Sequence, residues 1–268
     1  NQLPGYHAGC FTDTIWSSGE GRSFGWAYDA VWPFLDNDDQ LLKLAQQEIP
    51  EIQTHEDLRL YIEENLLRRI GQQYCDTAIQ GNAGYHHKGI AGLLLALDDM
   101  DSQRFPNCRD LLEFLYYRVY GAMRYLPNLL GRDGCSFEST GYNASRLNMV
   151  ECLATLQRFF TEQGDELPRD RYPSLWDDPR FAAQFDYYTD YMILDRWLPC
   201  VGDATGGPII PKHEPPERFS VVSPQVAVPA WDKYRTPKLA LLAYGLENKP
   251  PSPSLWAEAP LPELAAAR

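Results

Sequence analysis

Two adjacent imidazoles, His86 and His87, stand at the mouth of an apolar run in GNAGYHHKGIAGLLLALDD, residues 81–99, with the amide of Asn82 just upstream. Imidazoles at the start of a helix are titratable groups able to move protons. On a helix that turns about 100° per residue, Ile90, Leu93 and Leu97 fall within about 40° of His86, which is therefore predicted to point inward. His87 lies about 100° round, toward Ala91 and Asp98, so the two rings are predicted to diverge and only His86 to serve a site on the apolar side. Chelation by one helix needs histidines at i and i+4, and no H-x-x-x-H occurs, so no metal site is expected from this pair. The structural alternative for His86 is a hydrogen-bonded core histidine.

A second stretch, GRDGCSFESTGYNASRLNMVECLATLQRFF at residues 131–160, carries a phenol in the same kind of place. A helix is predicted to begin near Tyr142, with Arg146, Met149, Val150 and Leu153 continuing its face. Two proton-transfer side chains at the first turns of two apolar helices suit a cleft lined by helix ends. Arg146, a turn away, would hold a carboxylate or favour tyrosinate by Coulomb attraction. The alternatives are that Tyr142 packs at a helix mouth and that Arg146 pairs with a surface acid. The doublets Asp98-Asp99 and Asp177-Asp178 resemble paired glycosidase carboxylates only superficially, because adjacent acids at helix edges are usually solvated or capping groups. No G-x-S-x-G elbow, P-loop or G-x-G-x-x-G occurs, and GDATGGP lacks the P-loop lysine.

The elements that must position these groups are read as helices. THEDLRLYIEENLLRRIGQQY opens at Thr54 with a capping pattern and continues with Leu58, Tyr61, Ile62, Leu66 and Ile70 at helical spacing. Further helices are predicted over about 23–35, 38–48, 84–99, 108–126, 142–162, 179–195 and 237–246, between Gly, Pro or Asp-rich breaks. FSVVSPQVAVPAW, residues 219–231, is predicted to hold one or two short edge strands, and the segment from 247 to 268 a Pro-rich linker or tail. The fold class expected is all-α, with antiparallel helix pairs over residues 1–246 in a bundle, solenoid or closed toroid. The 268 residues, 44% hydrophobic, suffice for a full core. A formal charge of −13 disfavours a broad nucleic-acid surface, and any anionic ligand would need a local basic cleft. No apolar run reaches the roughly 18–20 residues of a membrane span. The six cysteines form no C-x-x-C pair and read as small buried hydrophobes rather than as a zinc or redox site. A first residue of Asn suggests a processed or excised piece.

Four segments together resemble the heparinase II/III-like polysaccharide lyases, oligoalginate lyases included. GNAGYHHKGIAGLLLALDD is similar to the family's Asn- and His-bearing helix, and GCSFESTGYNASRL to its Phe-Glu-Ser, Gly-Tyr segment. LPCVGDATGG at 198–207 is similar to its Pro, Gly-Asp turn, and GWAYDAVWPF at 25–34 to its early Ala-Tyr-Asp helix. The resemblance implies an incomplete (α/α) toroid and β-elimination on an acidic polysaccharide or oligosaccharide, in a periplasmic or secreted protein. Asn82, His86 and Tyr142 match the catalytic positions, and Glu138 matches a further motif position. Three residues separate Asn82 from His86 where several members have the two adjacent, so that either histidine fits the motif; the helical-face argument selects His86. The family's other catalytic histidine and its zinc belong to a β-sandwich domain absent from this chain, which implies no cofactor here and either a severed catalytic half or a divergent relative.

The residue types suit that chemistry. Taking the C5 proton of a uronate requires the neighbouring carboxylate to be neutralised, which Asn82 and His86 would do. Tyr142 would protonate the leaving O4 and, as tyrosinate, could also be the base. Trp26, Tyr28, Trp32, Tyr85 and Trp197 offer flat faces for sugars, one or two of them as platforms and the rest as core; Trp26 and Tyr85, with Arg146 and Glu138, are the substrate-binding candidates. A toroidal glycoside hydrolase would need two convergent acids instead, and a non-catalytic glycan-binding module neither.

Overall fold

The structure, a computed structural model, describes residues 16–77, 79, 81–97, 99–118, 122–136, 138, 142–143, 146–163, 167–191, 224–240 and 243. These are mostly helical, with no strand among the described residues. The chain divides into two compact units, Asn1–Met123 with Ala154–Leu167, and Arg124–Leu153 with Pro168–Arg268.

In the first unit, α1 (Glu20–Asn37) hands over to α2 (Asp39–Glu48) through one residue, Asp38. Its N–H closes α1 on the Phe34 carbonyl, and its carboxylate accepts the N–H groups of Gln40 and Leu41 that open α2. The predicted start at Thr54 is present as a full capping box. Asp57 N–H donates to Thr54 Oγ1 at 3.0 Å and Thr54 N–H to Asp57 Oδ2 at 2.8 Å, opening α3 (His55–Ile62). A π-turn, Glu63–Leu67, then leads into α4 (Arg68–Cys75). The widened turn breaks the simple period expected here, leaving Tyr61 exposed while Leu58, Leu67 and Ile70 are buried.

Side-chain bonds give the direction of each helix. Tyr28 donates to Glu63 Oε1 at 2.8 Å, Arg59 pairs with Asp36, and Tyr74 donates to the Ser18 carbonyl at 2.7 Å, so α1 numbers rise as α3 and α4 numbers fall. Arg68 reaches Asp99 at 2.6 Å while Tyr74 meets Gly89, so α4 is also antiparallel to α5 (Tyr85–Leu97). Consequently α1 and α5 run parallel, and glycines make their contact possible. A β-carbon on Gly25 would sit 2.5 Å from the Gly92 carbonyl oxygen, and one on Gly92 2.5 Å from Arg22 Cα. Backbone therefore packs on backbone along this seam, closer than any side chain permits.

Burial of Glu63 pushes its carboxyl above the usual carboxylate range despite the Tyr28 bond and the Arg68 charge. Arg68 itself is buried among Glu63, Glu64 and Asp99 and donates to the Pro106 carbonyl at 2.7 Å. Asp99 is thus an ion-pair partner. The unit continues with α6 (Cys108–Glu113), opened by an Asn107 capping box and extended by a π-turn, Phe114–Arg118. The helix expected over 108–126 ends there as far as it is described; Met123–Tyr125 is turn.

Helix α7 (Met149–Gln163) contributes Met149–Leu153 to the second unit and the residues from Ala154 on to the first. In the second unit, Asp178 caps α8 (Pro179–Asp190) by accepting the Arg180 and Phe181 N–H groups, the capping role expected of the Asp177-Asp178 doublet. Asp177 pairs with Lys233 at 2.8 Å. The strands predicted over 219–231 are not found where that segment is described: α9 (Pro224–Tyr234) occupies it, followed by α10 (Pro237–Ala240). Ala227, Ala230 and Trp231 recur at helical spacing and are buried, and this burial outweighs the β-branched preference of Val226 and Val228. Trp176 holds α8 and α9 together, its ring 5.7 Å from Phe181 and 5.8 Å from Tyr234. Cys75, Cys108, Cys135 and Cys152 are free thiols, Cys108 and Cys152 buried as expected; Cys10 and Cys200 lie outside the described residues.

Candidate functional site

One candidate segment is the start of α5. Gly84 takes a left-handed φ of +101° and is the N-cap, its carbonyl accepting the Lys88 N–H at 3.0 Å. Its own N–H donates to His87 Nδ1 at 3.1 Å. His87 is therefore the N3 residue of half a capping box, with imidazole in the place usual for Glu or Gln. A ring accepting at Nδ1 and neutral carries its proton on Nε2, so this bond fixes the tautomer.

His86 points inward as expected, with 1% of its surface exposed, but His87 does not diverge from it. His87 is 0% exposed, and the two ring centroids lie 4.2 Å apart at 32°. Side chains on a helix lean toward its N-terminus, and His87 leans back to reach Gly84, which brings its ring beside that of His86. Asn82 is exposed, and its carbonyl accepts the Tyr85 N–H at 3.0 Å. The Tyr85 ring is 41% exposed with Lys88 Nζ 4.8 Å from its centroid. On α1, Trp26 is 45% exposed beneath the Arg22 guanidinium, 3.6 Å away. Of the other aromatic candidates, Tyr28 is buried on Glu63, Trp32 is partly exposed under Arg59, and Trp197 lies outside the described residues.

The other candidate segment lies in the second unit and is described by itself. A tight turn closes from the Gly131 N–H to the Cys135 carbonyl at 2.7 Å, with Gly134 at φ +78°. A β-carbon on Gly134 would lie 2.1 Å from the Gln184 backbone nitrogen, so glycine is required there twice over. Arg146 is buried and ties the segment together: Nη1 donates to Asn143 Oδ1 at 2.7 Å, and Nη2 meets Glu138 Oε2 at 3.2 Å. Asn143 in turn donates to the Glu138 carbonyl at 3.1 Å. Tyr142 is half-buried beside this triad. The acid on Arg146 is thus the motif's own Glu138. Helix is present at Tyr142 and Asn143, but Arg146–Asn148 is a tighter 3₁₀ turn, so the regular face expected from Tyr142 onward is interrupted. Behind the turn, the Tyr187 hydroxyl bonds to the Cys135 thiol, and burial raises both the Tyr187 and Tyr188 phenols above their ordinary range.

Glu138, Arg146 and the segment of Tyr142 are brought together in one unit, and Asn82, Tyr85, His86 and Trp26 belong to the other. Phe137, Ser139–Gly141 and the whole of LPCVGDATGG lie outside the described residues. Sequence reasoning missed Asn143, Lys88 and Arg22. The signals were present: Asn143 stands three residues before Arg146, Lys88 three after Tyr85, and Arg22 four before Trp26, all within one helical turn. No group of three or more metal-ligating side chains is assembled among the described residues. Comparison with protein-family models, with characterised proteins and with solved structures finds no match.

Proposed function

We propose that the protein is a polysaccharide lyase that cleaves a uronate-containing acidic glycan by β-elimination. The observation that carries this reading is the half-buried Tyr142 on a segment whose buried guanidinium holds Asn143 and Glu138. The up, down, up order of α1, α3–α4 and α5 supports an incomplete (α/α) toroid as the frame.

In the proposed reaction the uronate carboxylate is neutralised to draw charge from C5, a step that an amide donor such as the exposed Asn82 suits chemically. A base, Tyr142 as tyrosinate where the sugar's stereochemistry allows, takes the C5 proton. The C5–H electron pair becomes the C4–C5 double bond, the C4–O4 bond breaks, and the departing oxygen takes a proton from Tyr142. His86, one turn beyond Asn82 and buried, is assigned the positioning of that turn. No step is routed through a metal. The acids a glycoside hydrolase would use are engaged, Glu138 on Arg146, Asp99 on Arg68 and Asp177 on Lys233. The burial of His86 favours a second reading, a glycan-binding module without catalysis.

Incubation of the protein with a panel of uronate polymers tests the proposal, the readout being the ultraviolet absorbance of the new C4–C5 double bond. Tyr142→Phe is expected to lower kcat by about 10²–10⁴ with little change in substrate affinity. A fully active Tyr142→Phe protein overturns the mechanism, and silence on every polymer leaves only the binding reading.

A further inference from the structure

Helix α1 buries Gly21, Gly25, Tyr28 and Leu35 and leaves its opposite side uncovered. On a helix that turns about 100° per residue, Ser23, Trp26, Ala27, Ala30, Pro33, Phe34 and Asn37 all fall within about 60° of Ala30. Every one of them is exposed, Trp26 by 45% although Arg22 stacks on it and Phe34 by 61%. That sector holds no charge: Arg22, Asp29 and Asp36 lie about 80–120° to one side of Ala30, and Glu20 about 80° to the other. An outward helix face in water ordinarily carries charged side chains. With Val31 on its flank, exposed by 44%, the sector presents about 450 Å² of apolar surface, the size of patch that marks an interaction site.

We infer that this face packs against the same face of a second copy of the chain, α1 against α1, antiparallel about a two-fold axis at Ala30. A two-fold axis there sets each residue opposite the one equally far beyond Ala30 on the other copy. Trp26 then meets Phe34, Ala27 meets Pro33, Ser23 meets Asn37 and Ala30 meets Ala30: ring on ring, small on small, polar on polar. At the ends of the row Arg22 falls opposite Asp38 of the second copy, a cation facing a carboxylate. A partner of unrelated sequence would require no such agreement about Ala30. The small side chain at the crossing lets two helix axes approach to about 8–10 Å. The area also fits, since each copy in a standard homodimer interface buries roughly 800 Å², about 65% of it apolar. Because the sector is free of charge, two copies of −13 meet without setting like charges face to face. The inference is independent of the lyase reading.

Sedimentation equilibrium of the full chain from about 1 to about 100 μM tests the pairing, with the mass expected to rise from one chain to two. Ala30→Asp sets two carboxylates against each other at the axis and is expected to raise the dissociation constant at least about a hundredfold. Its circular dichroism is expected to match the parent's, because position 30 is exposed. Trp26→Ala and Phe34→Ala are each expected to weaken pairing about tenfold. Ala30→Cys gives a signal that does not depend on loss: under mild oxidation it is expected to link two copies through position 30, the joined peptides being identified by mass spectrometry. A one-chain mass over the whole range overturns the inference and assigns the face to a contact within one chain. A dimer that Ala30→Asp leaves intact, or that forms no link through position 30 in Ala30→Cys, overturns it by placing the interface elsewhere.

Discussion

Helix α5 opens with both imidazoles turned into the core and one of them bonded to its own N-cap, whereas the Tyr142 segment leaves its phenol half-exposed and buries the guanidinium four residues on. The first is fixed by backbone contact, glycine against glycine, and its polar groups serve the helix start. The second is fixed by side chains, Arg146 on Asn143 and Glu138. Two segments that look alike in sequence, a proton-transfer side chain at the mouth of an apolar helix, thus differ in what the side chain faces.

The sharpest way to break this contrast is at its glycines. Gly134→Ala forces a side chain into a left-handed backbone and against Gln184, and is expected to cost about 2–6 kcal/mol in urea unfolding. Gly25→Ala meets the Gly92 carbonyl in ordinary helical geometry, where overpacking costs about 1–3 kcal/mol. A larger loss at Gly25 would place the tighter constraint in the seam. Between these two glycine effects lies His87→Ala, expected to cost about 2–4 kcal/mol through a lost cap and a cavity. His87→Gln, which restores an acceptor at N3, is expected to recover about 1 kcal/mol of that. Equal unfolding midpoints for the two variants would remove the capping role.

The smallest effect concerns Glu63, whose native pKa lies above the ordinary value of 4.5. The folded protein binds this proton more tightly than the unfolded chain, so its contribution is largest below 4.5 and is lost as pH rises through the raised native value. Glu63→Gln keeps an acceptor for Tyr28 and is expected to change stability at neutral pH by under about 1 kcal/mol in the stabilising direction. Stability measured against pH should show the downward slope above 4.5 flattened in the variant. An unchanged slope would assign it to other groups.

What was legible in the sequence was local. The Thr54 capping box needs only residues three apart, and the inward face of His86 follows from its own helix. The glycine spacings of GRSFG and GIAG are equally visible, but their pairing joins segments far apart in the chain, and no period encodes a partner. His87 was misread because helical angle was weighed without the cap: Gly84 followed three residues later by an acceptor was the signal. At 219–231 the alternating valines masked the helical spacing of Ala227, Ala230 and Trp231. The Glu138–Arg146 pair spans eight residues, a spacing that neither helical nor strand periodicity singles out.

Because α5 is apolar around nearly its whole circumference and has no side chains of its own at Gly89 and Gly92, it is a poor free-standing helix in water. Its partner at Gly21 and Gly25 leaves the ribosome first, and at about 5–20 residues per second α5 follows roughly 3–14 seconds later. Helix α1 and the antiparallel α3–α4 arm are therefore synthesised and waiting when this apolar stretch emerges. The order of elements along the chain itself shortens the interval in which that stretch is uncovered. A circular permutant that places α5 ahead of α1 would lengthen it, and would be expected to depend more heavily on chaperones during synthesis than on any change in final stability.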